Sequence, residues 1–177
     1  MRTTILVLSL VSFASAEGPT SQPLIQAYMP RYNVMKQNLV EAAEVMPAEY
    51  YSFKLSSGQR TFGEWVDHTI LLLQSSCATL SGDPVPAIDH SKHSGEKTKT
   101  DDIAALKESA DLCDKTLKNV NDQRALTAVN AAGKTTYPIN TMLGLLMNMA
   151  SHYGNMVGYL RAKGITPPST ARAQKKQ

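Results

Sequence analysis

Residues 140–163, NTMLGLLMNMASHYGNMVGYLRAK, decide the fold. Met142, Leu145, Met149, His152, Met156 and Tyr159 recur at alternating steps of three and four, which sets all six along one face of an α-helix. Gly164 and then Pro167-Pro168 close the run, a glycine suited to a helix exit followed by residues that cannot continue one. One residue of the seam is out of character. His152 interrupts a line of otherwise apolar or aromatic side chains, and a bundle core buries such a group only when it is hydrogen-bonded or bound to metal.

Three more helices of the same kind precede this one. In the first, Ile25, Tyr28, Tyr32, Met35, Leu39, Ala42 and Met46 form the seam; Pro30 predicts a kink or a late start, and Met46-Pro47 predicts the end. The second should start at Thr61, which with Glu64 matches a capping box, and its stripe is Phe62, Val66, Ile70, Leu73, Cys77 and Leu80, widened by Trp65 and Leu72. Ser81-Gly82-Asp83-Pro84 stops it, and residues 81–100, with two prolines and two glycines, read as a long loop. The third starts near Asp101, with Asp101 and Asp102 at its positive end, and carries Ile103, Leu106, Ala110, Cys113, Leu117 and Val120 on its seam. There is no repeat and no β pattern of useful length. The reading is an all-α four-helix bundle, in which the long loop suggests a crossover and hence parallel second and third helices.

The 177 residues, 42% hydrophobic and 19% charged, fit one domain and exclude collagen, low-complexity disorder and a disulfide-dense mini-protein. A formal charge of +3 is too small and too scattered to argue for a nucleic acid as partner. Residues 1–16 have the make-up of a secretory signal peptide: Arg2, an apolar stretch from Ile5 to Phe13, then Ala14-Ser15-Ala16. Removing sixteen residues from 177 leaves 161, beginning at Glu17, with a formal charge of +2. The expectation is therefore an exported protein, periplasmic or secreted, with a bundle over residues 17–168, a disordered tail over 169–177, and no membrane partner after signal cleavage. In an oxidising compartment Cys77 and Cys113, each on a seam, read as a disulfide; two buried free thiols are the other reading.

His152, Asn148 one turn earlier and His68 at the edge of the second helix's apolar arc could converge between two helices. From spacing alone they are either a divalent-metal site or satisfied polar groups at the core edge. Met46-Pro47-Ala48-Glu49-Tyr50-Tyr51-Ser52-Phe53, then Arg60-Thr61-Phe62-Gly63-Glu64-Trp65 and His68, resemble the first half of DinB-like proteins. The run from His152 to Arg161, with Lys163-Gly164-Ile165 and Pro167-Pro168, resembles the last helix of that family and its exit. The resemblance implies an up-down-down-up bundle and a divalent metal, zinc or nickel, held by three histidines. His68 matches the first of these and His152 the last, while Asn148 stands where the middle histidine belongs. An amide oxygen is a poorer ligand than imidazole for such a metal. The family includes transferases and isomerases that use low-molecular-weight thiols, of which an exported protein would meet few.

His90 and His93 in the long loop could supply a further ligand or simply be solvated, and the four methionines of the fourth helix read as core filling. No Glu-x-x-His pair, C-x-x-C-H, P-loop, dinucleotide fingerprint, G-x-S-x-G or H-E-x-x-H occurs. Two functions follow: a metal-dependent enzyme of undetermined reaction and substrate, or a non-catalytic bundle that binds a small ligand or a protein partner in the former metal cleft. Pairing of two copies into a homodimer through a helix face stays open.

Overall fold

The computed structural model describes residues 21–83, 98–131 and 133–176. The expected signal peptide and the loop histidines His90 and His93 lie outside the described residues. Four long helices form the body: α1 (Pro23–Val45), α2 (Phe62–Ser81), α3 (Lys99–Lys118) and, after the short α4 (Asp122–Leu126), α5 (Pro138–Ala162). Among the described residues, no helix is long and apolar enough to cross a membrane.

Cross-helix contacts fix the direction of each helix. Gln74 donates to the Ser109 hydroxyl at 3.1 Å, and Cys77 pairs with Cys113, so sequence numbers rise together and α2 runs parallel to α3. Phe62 meets Tyr159 in a tilted ring contact and Thr69 meets His152, so α2 and α5 are antiparallel. Lys36 pairs with Asp114 and Lys107 with Glu44, which makes α1 antiparallel to α3. The result is an up-down-down-up bundle. Its core is built from the expected seams, including Tyr32, Leu39, Phe62, Ile70, Leu73, Leu106, Leu117, Met142, Leu145, Met149 and Tyr159, all nearly inaccessible to solvent.

The caps explain where the helices begin. Thr61 and Glu64 close the expected box, the Thr61 hydroxyl accepting from the Glu64 amide at 3.1 Å and the Glu64 carboxylate from the Thr61 amide at 2.5 Å. These bonds, with the backbone bond first, hold the Glu64 carboxyl below the usual range. Thr98 and Asp101 repeat the device, so α3 starts before Asp101, which stands third in the helix. The first helix has no cap from its own neighbour. The Asp122 carboxylate accepts from the amides of Leu24 at 3.0 Å and Ile25 at 2.9 Å, while the Gln22 side chain accepts from the Asp122 amide at 2.7 Å. Pro30 is exposed and inside α1, which begins at Pro23 and shows no late start.

One expectation needs correction, and one small element is added to the expected helices. The segment read as a disordered tail holds a helix, α6 (Pro168–Gln174), because Arg172 reaches both Glu41 and the buried Asn38 on α1 and the Tyr153 hydroxyl donates to Ser169 Oγ at 2.7 Å. A small antiparallel ribbon, β1 (Val129–Ala131) with β2 (Lys134–Thr136), precedes α5, its turn using Gly133 at φ +76°. Strands of three residues are too short to register as an alternating pattern.

Cys77 and Cys113 are both fully buried and stand at disulfide distance, with Cα atoms 5.3 Å apart and 36 positions between them in sequence. Closing that loop removes chain entropy from the unfolded state. The paired change Cys77→Ala with Cys113→Ala should lower the unfolding free energy by roughly 3–4 kcal/mol in denaturant titration, and unfolded, non-reduced wild type should show no free thiol.

Candidate functional site

The face between α2 and α5 holds two of the buried polar side chains, Thr69 and His152. Trp65, His68 and Thr69 project from α2, and His152 comes from the facing stretch of α5. The rings of His68 and His152 are 4.8 Å apart between centroids, and Trp65 stands 5.4 Å from His152 and 6.1 Å from His68. His152 is 4% exposed, whereas His68 and Trp65 are half-buried, so the cluster reaches from the core to the surface. At its rim the Arg60 guanidinium lies 5.2 Å from the Trp65 ring. The Tyr159 hydroxyl donates to the Arg60 carbonyl and so ties the approach to α2 onto α5. Phe53 meets the same tyrosine edge-on at 6.0 Å, and Lys163 caps the Phe53 ring at 3.7 Å.

The hydrogen bonds of Thr69 select a tautomer for His152. Thr69 has one hydroxyl proton and donates it to the Trp65 carbonyl at 2.8 Å, one turn back on the same helix. Its oxygen is 3.2 Å from His152 Nδ1 and can then only accept, so His152 carries its proton on Nδ1 and keeps a lone pair on Nε2. Burial first, then the neighbouring His68 and Arg60, pull the His152 pKa down to about 4. The ring is therefore neutral at physiological pH. That makes it a poor general acid near neutrality, and a good acceptor of a hydrogen bond or ligand of a metal.

The candidate ligands differ in burial and in their partners. His68 and His152 are in contact, but Asn148 is exposed and its amide donates to the Gly144 carbonyl at 2.8 Å. Among the described residues no group of three His, Cys, Asp or Glu side chains could hold a metal ion. Protein zinc sites ordinarily use at least three protein ligands. Among the described residues the cluster offers two imidazoles, one short of that number, with the amide of Asn148 on the adjacent turn of α5. Trp65 and Thr69 belong to the cluster although the sequence marks Trp65 only as a widening of a stripe and Thr69 not at all. The signal available for Thr69 is a hydroxyl four residues after Trp65 and next to His68, at a buried position.

No family model matches the sequence, and no curated protein matches it. Solved structures do. A DinB-like protein from Bacillus cereus superposes with a TM-score of 0.63 at 16% identity, over 81% of this chain and 95% of the other. A DinB-like protein from Bacillus subtilis gives 0.61 at 17% identity, over 81% and 92%. The chain has the DinB-like fold.

The depressed His152 pKa sets a sign for acid stability. An unfolded imidazole binds a proton near pH 6.5 and the folded one only near about 4, so between those values protons favour the unfolded chain. The contribution is whole above about pH 6.5 and is lost as pH falls through about 4, by roughly 3 kcal/mol in all. Chemical denaturation across this window should show the loss in metal-free wild type. The difference should shrink in His152→Gln, and an unchanged slope in that variant would assign the loss to other groups.

Proposed function

We propose that this chain, built on the DinB-like fold, is an exported binding protein in which the metal centre is reduced to two imidazoles, and that it binds a small ligand or a protein partner at the His68 and His152 face without catalysing a metal-dependent reaction. The observation that carries the reading is that His68 and His152 meet as the cluster's two imidazoles, while the third position is Asn148, an exposed amide in place of an imidazole. The low proton affinity of His152 supports it as well, because it keeps the ring unprotonated and so unable to act as an acid near neutrality. The second reading is a weak zinc or nickel site. It draws on the Nε2 lone pair that Thr69 leaves to His152 and on the adjacent His68.

Export rests on Arg2, the apolar stretch from Ile5 to Phe13 and Ala14-Ser15-Ala16, and a buried cysteine pair at bonding distance suits an oxidising compartment.

Elemental analysis of protein expressed without a chelating tag separates the readings. The wild type should carry well under one zinc, nickel, manganese or iron per chain and show no thermal shift with any of them. Asn148→His should gain zinc or nickel binding by adding a third imidazole. One metal per wild-type chain would reverse the proposal. Mature protein recovered from outside the cytoplasm should begin at Glu17, and an intact Met1 there would refute cleavage after Ala16.

A further inference from the structure

A second site lies towards the other end of the bundle from the imidazoles, about 18 Å along α2 from His68. A cleft of about 720 Å³ opens there between the end of α2, α4 and β1; Leu80, Val129 and Pro138 supply apolar wall, and Asp83, Arg124 and Asn130 are among its polar groups. The volume is within the usual ~300–1,000 Å³ of small-molecule sites. Val129 is 42% exposed, an apolar side chain left open to whatever enters.

The two charges among its described lining residues are held in different ways, and no ion pair joins them. The Arg124 guanidinium donates through Nη2 to the Leu80 carbonyl at 2.8 Å and through Nη1 to the Asn119 carbonyl at 3.5 Å. These carbonyls belong to the ends of α2 and α3, where helix carbonyls lack intrahelical partners. Two of five N–H groups are thus spent on fixing the head, and three stay available to an anion. No ion pair among the described residues involves Arg124. Opposite in sign, Asp83 accepts from the Ser81 hydroxyl on Oδ2 at 2.5 Å, and among the described residues nothing bonds its Oδ1. A cation held by backbone carbonyls, a carboxylate steadied by a serine and an apolar wall together complement a molecule with both charges and an apolar body.

We infer that this cleft binds a small zwitterion, its carboxylate on Arg124, its ammonium on Asp83 and its body against Leu80, Val129 and Pro138. The chemical class is the apolar α-amino acid or short peptide, which share these two charged ends. A lone carboxylate would face Asp83 unpaired, and a lone amine would face Arg124.

Calorimetry on the full mature chain tests this with four probes: L-leucine, the dipeptide Leu-Leu, 4-methylpentanoate and 3-methylbutylamine. At least one of the two zwitterions should bind, and whichever binds more tightly tells free amino acid from peptide. The single-charge analogues should bind about tenfold or more weaker, and Arg124→Gln and Asp83→Asn should each weaken the zwitterion by a similar factor. Because Arg124→Gln also removes two helix-end bonds, Asn130→Trp serves as a second variant that fills the cleft from an exposed strand position, and it should abolish binding with the melting temperature kept. Absence of binding by both zwitterions, equal binding by either single-charge analogue, or binding that survives Asn130→Trp would overturn the proposal.

Discussion

The packing of Cys77 against Cys113, at disulfide distance, marks the register on which the rest of the bundle is assembled. Parallel helices cannot be joined by a short turn, so no local connection dictates which residues of α2 and α3 lie side by side. The cysteine pair does so, and Gln74 with Ser109 repeats the same alignment one turn earlier. With that flank of α2 committed to α3, its adjoining arc of Phe62, Trp65 and Thr69 is presented to α5, where Tyr159 and His152 receive it. The histidine cluster is thus a consequence of a register fixed about 13 Å away along α2.

Much of this was legible in the sequence because it is local. Seams at three- and four-residue spacing, the Thr61 and Glu64 box, the stop after Ser81 and the proline end of α1 each depend on residues within one or two turns. What stayed hidden depends on distant partners. Pro23 at the first helical position is a local sign of the start of α1, but the cap itself is distant, since Asp122 takes the amides of Leu24 and Ile25 from 98 and 97 positions away. The helix at the C-terminal end is polar in sequence and ordered by what Arg172 finds on α1, namely Glu41 and the otherwise buried amide of Asn38.

The same division runs through the site. His152 stands out because a polar residue on an apolar seam needs a reason, and His68 follows from the edge of the facing arc. Thr69 does not stand out, since a buried hydroxyl gains meaning only when α5 brings Nδ1 to it. Asn148 shows the limit of spacing arguments. Four residues turn a helix by about 400°, so Asn148 sits about 40° off His152 and about 100° off Met149. That offset carries it past the buried stripe to the solvent side, where the Gly144 carbonyl takes its amide.

The reciprocal bonding of Gln22 and Asp122 also governs the order in which the chain can finish folding. Among the described helices α1 is made first, yet the amides of Leu24 and Ile25 lack their side-chain acceptor until Asp122 has been made and α4 packs against them. Closing a separation of nearly a hundred residues is entropically slow compared with forming a turn. The first helix to appear is therefore among the last to be completed. Shortened chains that stop before α4 would carry a frayed leading end with its apolar seam exposed, the species on which a holding chaperone would act.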